Sequence, residues 1–193
     1  MNGSLHLWLI PLLPFAGFVL NGTLGRKLPK GIVTAIALLA PLGSLAVVLI
    51  DAFASTTFPY VESCRYEWIS AGAVHIPFSF VLDHLSLVML LVVTGVSFLI
   101  HVYSVGYIDH KDGYWRYFAY LNLFVFFMTE LVLAGNVLLM FVGWEGVGLA
   151  SYLLIGFWFQ KTSAADAGKK AFIVSRIGDF GFLIGIFLLL ANF

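Results

Sequence analysis

The chain alternates long apolar runs with short polar breaks. Six runs are long enough to cross a bilayer as helices: about residues 5–24, 32–53, 81–103, 117–134, 137–159 and 171–193. Pro11 and Pro14 stand near the start of the first. The breaks differ in kind. Residues 25–31 (G-R-K-L-P-K-G) are short and basic. The outer connection, 54–80, is long and carries Glu62, Arg65 and Glu67 among aromatic and β-branched residues, which suits a small hairpin or an interfacial segment. Residues 106–116 are polar and mixed in charge. Gly135 and Asn136 read as a tight turn, which makes the fourth and fifth helices antiparallel neighbours. Residues 160–170 (Q-K-T-S-A-A-D-A-G-K-K) are polar and basic, with Ser163 or Asp166 placed to cap the sixth helix.

Composition agrees with that layout. Of 193 residues, 61% are hydrophobic and 10% charged, against about 25% charged in soluble domains. The fold class is an all-α integral membrane protein, with residues 1–193 forming one membrane domain of six transmembrane helices. Ten basic and ten acidic residues cancel, and no basic patch interleaved with aromatics points to nucleic acid. Cys64 is the one cysteine, so no disulfide forms within the chain and no thiolate cluster is available for zinc or iron–sulfur. His6, His75, His84, His101 and His110 lack metal-ligand spacing, and no nucleotide-binding loop is present. Redox chemistry therefore belongs on another chain. The first residues lack a basic n-region, so the first run reads as a retained helix.

Orientation follows from the bases. Arg26, Lys27, Lys30, Lys111, Arg116, Lys161, Lys169 and Lys170 lie on one side and Arg65 alone on the other, eight against one. The basic side faces the cytoplasm or its equivalent, which puts both ends of the segment outside. Asn21-Gly22-Thr23 spells a glycosylation sequon, but within or at the inner end of the first helix, where no transferase reaches.

Charges inside the runs carry the chemistry. As a helix, 137–159 is roughly 34 Å long. Its one charge is Glu145, among Gly143, Gly146 and Gly148, ~12 Å in from the Val137 end. Burying a carboxylate there costs near ~3 kcal/mol on insertion scales. Glu145, Gly148, Leu149 and Tyr152 share a face by their i, i+3, i+4, i+7 spacing, which should point into a bundle. Two readings are open: a proton-carrying carboxylate, or a polar residue that fixes helix packing. In the sixth run, Arg176 and Asp179 are i, i+3 and can pair. That pair is either self-neutralised and structural, or one that opens and carries protons. Glu145 has no partner on its own helix. On these boundaries the two acids are offset by ~10 Å along the membrane normal, too far for contact but within reach of a water relay. His101, Tyr152 and Glu130 are possible secondary relay groups. Glu130 and Asp51 are expected to reach headgroups or water, and Asp83 to be a helix N-cap or first-turn acid.

Four stretches resemble one family. G-W-E-G-V-G-L-A-S-Y-L-L-I-G-F-W and the following K-A-F-I-V-S-R-I-G-D-F-G are similar to the N-terminal part of the L-type antiporter-like membrane subunit of respiratory complex I, subunit 5 in mitochondria. The likeness extends back through F-V-L-D-H-L-S-L and R-Y-F-A-Y-L-N-L-F over most of residues 81–193, with weaker motifs before. It implies an antiporter-like inverted-repeat helical bundle. Glu145 would be the protonatable carboxylate of the fifth helix, and Arg176 and Asp179 the charge pair that tunes coupling. FMN, iron–sulfur clusters, NADH and quinone would sit on other subunits, with none on this chain. The partners would be the neighbouring antiporter-like subunit, other membrane-arm subunits, lipid and protons. The expected location is a bacterial inner membrane, ahead of the mitochondrial one. Family members are longer, with a lysine on a broken seventh helix opposite the glutamate. This chain stops before it, so it reads as a fragment or as half of a split subunit. A multisubunit sodium/proton antiporter and a non-pumping assembly piece are the rival readings.

Overall fold

The computed structural model describes residues 6–54, 58–71, 74–109 and 112–192. Six helices carry the architecture: α1 (Leu9–Leu24), α2 (Lys30–Ala54), α3 (His84–Ile108), α4 (Tyr114–Leu133), α5 (Val137–Ile155) and α6 (Thr162–Asn192). Five are long and apolar enough to cross a membrane, and α1 is a shorter apolar helix. Between α2 and α3 the chain forms an antiparallel hairpin, β1 (Tyr60–Ala71) and β2 (Val74–Leu82), the hairpin option for the outer connection. Tyr60 pairs with Leu82 and Ser70 with His75, with the register shifting on either side of Glu67.

Local chemistry sets the boundaries. Asp83 caps α3: its Oδ1 accepts from Ser86 N at 2.6 Å, and its own N–H donates to Ser86 Oγ at 2.7 Å. Val81 and Leu82, read from sequence as the start of that helix, instead close β2. The bonds from Ser86 hold the Asp83 carboxyl below its ordinary range. Asn136 caps α5 by accepting from Leu139 N at 2.8 Å, and its Nδ2 donates to Pro77 O at 2.8 Å, which ties the hairpin to the α4–α5 turn. Gly113, at φ +83°, supplies the left-handed residue that starts α4. On the exposed hairpin, the His75 side chain holds the Glu67 carboxyl below its ordinary range.

Two apolar clusters sit at opposite ends. Leu7, Ile10, Val48, Leu90, Leu133 and Leu139 gather under Phe80 and Leu82 of the hairpin. Val33, Ile108, Tyr114, Phe118 and Phe157 gather at the other end, beside the basic loops. α4 is central, packing against α1, α2, α3 and α5, while α6 packs against α5 and a 3-10 turn at Gly156–Trp158. The remaining face of α6 is open, with Ile177, Phe180 and Phe187 exposed.

Other sequence expectations also change here. α5 ends at Ile155, not 159, and gives way to the 3-10 turn. α6 begins at Thr162, nine residues before position 171. The stretch T-S-A-A-D-A-G-K-K is polar yet rich in alanine, and a helix need not end where the bilayer does. Ser163 and Asp166 are thus inside the first turns of α6 rather than caps, and Asp166 lies 3.6 Å from Lys169. Finally, Asp51 and Glu130 do not reach water: they are only 4% and 6% exposed. His6 and the hairpin's Glu62 lie near Asp51, and neighbouring helices surround Glu130 on the central α4.

Candidate functional site

The crossing of α5 and α6 fixes the depth of every charge in it. Gly168 of α6 abuts Gly156, where a Cβ would lie 3.3 Å from the Gly156 nitrogen. Counting away from that contact, Glu145 lies eleven residues before Gly156 and Asp179 eleven after Gly168. The helices are antiparallel, so the two acids stand level. The Tyr152–Phe172 contact, 5.2 Å between centroids, keeps the same register, four residues from each glycine. The ~10 Å offset expected from the sequence is therefore absent. It came from starting α6 too late.

Arg176 stands between the acids. Its Nη1 contacts Glu145 Oε2 and lies 3.6 Å from Asp179 Oδ2. Its Nη2 is 3.4 Å from the Glu145 carbonyl oxygen. The guanidinium also lies over the Phe172 ring, 4.5 Å from its centroid. Glu145, which has no partner on its own helix, thus finds one on α6. One guanidinium joins the two carboxylates, where a water relay was expected. The shared face does form: Glu145, Gly148 and Tyr152 meet α6, with Arg176 Nη2 3.8 Å from where a Gly148 Cβ would be. Leu149 alone of that set stays exposed.

Glycine brings α5 onto α4. A Cβ on Gly143 would sit 2.8 Å from the Leu131 backbone, and one on Gly146 would overlap the Phe127 ring. This close approach turns Glu145 toward α6.

One participant was not singled out from the sequence. Trp144 Nε1 donates to Asp179 Oδ1 at 2.8 Å, while its ring meets Phe182 edge-on at 5.9 Å. The available signal was an indole beside a membrane acid, since a Trp N–H in an apolar setting needs an acceptor. Asp179 is buried, 6% exposed, with one oxygen on Trp144 and the other facing Arg176. A cleft of about 570 Å³ between α4, α5 and α6 opens beside it, lined by Leu131, Met140, Trp144, Ser175 and Phe182.

The structure therefore brings Glu145, Arg176 and Asp179 together, with Tyr152 two turns along the same face. His101 and Glu130 are elsewhere. His101 is wholly buried between α3 and α4 and bonds the Ser97 carbonyl, and Glu130 is buried on α4. The arrangement is an ion triad in which Asp179 is buried while the Glu145 and Arg176 side chains are 27% and 31% exposed. One guanidinium faces two carboxylates.

Sequence comparison identifies the family. The family described as NADH-ubiquinone oxidoreductase (complex I), chain 5 N-terminus, matches residues 68–118, and that described as NADH:quinone oxidoreductase/Mrp antiporter, transmembrane, matches residues 134–193. The chain belongs to the subunit L/chain 5 family of NADH:quinone oxidoreductases, and corresponds to its N-terminal part. Subunit L of Escherichia coli K12 is 45% identical over 182 residues, covering 92% of this chain and 29% of that protein. Subunit L of Mycobacterium tuberculosis H37Rv is 42% identical over 194 residues, 99% of this chain and 31% of the relative. The F(420)H(2) dehydrogenase subunit L of Methanosarcina mazei is 44% identical over 190 residues, 96% of this chain and 27% of the relative. The chain thus spans under a third of these relatives. In fold, it matches a chain of the membrane-bound sulfane sulfur reductase, an archaeal respiratory membrane complex, with a TM-score of 0.79 at 18% identity, covering 94% of this chain and 36% of that one. The subunit L family thus accounts for an all-α, multi-pass membrane bundle.

Proposed function

We propose that this segment is the N-terminal part of a proton-translocating membrane-arm subunit of NADH:quinone oxidoreductase, coupling quinone reduction to proton pumping. The observation that carries it is the guanidinium of Arg176 set between Glu145 and Asp179 on adjacent membrane helices. Protonating Glu145 releases Arg176 to Asp179. Deprotonating it draws Arg176 back. A proton moves at the Glu145 carboxyl, and the charge is displaced from α5 toward α6. Tyr152 stands on the same face as a secondary relay group, with His101 and Glu130 on other helices. The redox groups, FMN and iron–sulfur clusters, together with NADH and quinone, belong to other subunits. The neighbouring antiporter-like subunit is the natural partner in the membrane. Eight bases on one side support the reading that this side faces the cytoplasm of a bacterial inner membrane, with both ends of the segment outside.

The test is Glu145→Gln in the full-length chain within its complex, in proteoliposomes. NADH oxidation should persist while protons moved per NADH fall. Unchanged stoichiometry in an assembled variant sinks the reading. The second reading, a sodium/proton antiporter subunit, has the Mrp antiporter description of residues 134–193 in its favour. Sodium-driven proton exchange without NADH would select it. If Glu145→Gln and Asp179→Asn both leave transport intact while deletion dissolves the complex, the chain is an assembly piece.

A further inference from the structure

A second polar centre lies on helices that the charge triad does not use. Asn21 of α1, His101 of α3 and Asn122 of α4 are all at 0% exposure. His101 Nδ1 is 2.8 Å from the Ser97 carbonyl oxygen. A carbonyl only accepts, so Nδ1 carries the hydrogen and Nε2 presents a lone pair. Among the described residues, nothing bonds that Nε2, nor Asn21 Oδ1, nor either polar atom of the Asn122 carboxamide. These atoms share one region. The Asn122 side chain is within hydrogen-bonding reach of the His101 ring but closes no bond of normal geometry with it. It also faces α1, where a Cβ on Gly17 would lie 3.1 Å from its Cγ and its Nδ2. Asn21 is one turn on from Gly17 and gives its Nδ2 to Val33 O at 3.3 Å.

Leaving four buried polar atoms unpaired would cost about 1–3 kcal/mol each, and native interiors rarely leave such groups without a partner. Three of the four are acceptors and one is an amide donor. Water matches that set, since it donates twice and accepts. Polar groups continue from there toward the basic end. Ser104, one turn past His101, lies 3.5 Å from the Tyr117 hydroxyl, and Thr34 bonds Tyr114 at 2.6 Å.

We infer that α1, α3 and α4 enclose an internal water site held by Asn21, Asn122 and His101, with water donating to His101 Nε2 and bridging the Asn122 carboxamide. The site sets a proton donor against the imidazole, apart from Glu145. It does not depend on the pumping role proposed above, and its test reads no activity.

The test is a high-resolution cryo-EM map of the full-length chain in its complex, with and without Asn122→Leu. Ordered density is expected ~3 Å from His101 Nε2 and from the Asn122 amide. It should vanish in Asn122→Leu while Arg176, Glu145 and Asp179 keep their arrangement. A direct bond from Asn122 Nδ2 to His101 Nε2 with no density between, or a dry pocket, overturns the inference. Density unchanged in Asn122→Leu overturns it as well. Should that variant fail to assemble, the wild-type map decides alone.

Discussion

Replacing Arg176 by Met removes the one cation between two acids and keeps an apolar stem of similar reach. Nη1 contacts Glu145 Oε2 and lies 3.6 Å from Asp179 Oδ2. With a normal ~2.9 Å bond on the Glu145 side, the two oxygens are at most ~6.5 Å apart. At an effective dielectric near ~20, two unit charges at that distance repel by about 2.5 kcal/mol. Leaving the buried Asp179 without its cation adds an unpaired-charge cost of up to about 3–5 kcal/mol, less at the partly exposed Glu145. Arg176→Met should therefore impair assembly severely. Adding Asp179→Asn removes the repulsion and should return about 2–3 kcal/mol. Arg176→Lys keeps the charge but has one nitrogen to divide between two acids, so it should fall between. The assay is the yield and thermal stability of the assembled full-length complex in detergent, with proton translocation per NADH in reconstituted vesicles. If the double variant is no more stable than Arg176→Met, the two carboxylates do not share the cation and the site has been misread.

Trp144→Phe keeps the ring against Phe182 and removes the N–H to Asp179. It should cost about 2 kcal/mol for the lost bond to a charged group and lower protons pumped per NADH; a wild-type ratio and melting temperature count against Trp144 as a positioning residue. Gly146→Leu drives a side chain into the Phe127 ring and should destabilise the α4–α5 contact by roughly 1–3 kcal/mol, read as a lower melting temperature. Asp83→Ala removes the N-cap of α3 and should cost about 1 kcal/mol. The Asp83 carboxyl is held below its ordinary range, so its contribution is present above the unfolded value and fades as pH falls through the folded one. The difference between wild type and Asp83→Ala should therefore shrink in acid, and a gap that widens there contradicts the cap.

How much of this was legible depends on the scale of the interaction. Hydropathy gave the spans because a bilayer imposes length and apolarity on a helix directly. Asp83 was readable as a cap because Ser86 lies three residues on, within one turn. Glu145 stood out as the one charge in its run. Its partner did not, because pairing with Arg176 is tertiary and depends on where α6 starts. Residues 162–170 carry helix-forming alanines but also the polarity of a loop. Reading polarity as an end shifted the helix by nine residues and moved Asp179 away from Glu145. The burial of Asp51 and Glu130 escaped for a related reason: hydropathy locates an acid near a membrane surface but not whether a hairpin or a neighbouring helix covers it.

The corrected register also changes what the acids can do. Offset carboxylates joined by water would each keep their own charge, and a proton leaving one would matter to the other only through the chain of water. Level carboxylates on one guanidinium cannot be independent. Arg176 bonds Glu145 through a side-chain oxygen and reaches its carbonyl at 3.4 Å, while Asp179 is held from behind by Trp144. The fixed points are Asp179 and the backbone; the free ones are the Glu145 carboxyl and the guanidinium. In the proposed function a proton added at Glu145 would therefore shift a cation from α5 toward α6, with no change of fold. That property distinguishes a working triad from a merely structural one. Glu145→Gln should leave Arg176 bonded to Asp179 alone, visible as a guanidinium displaced toward α6 in a map of the variant. If Arg176 keeps its place beside residue 145, the triad is rigid and its charges serve only to hold α5 against α6.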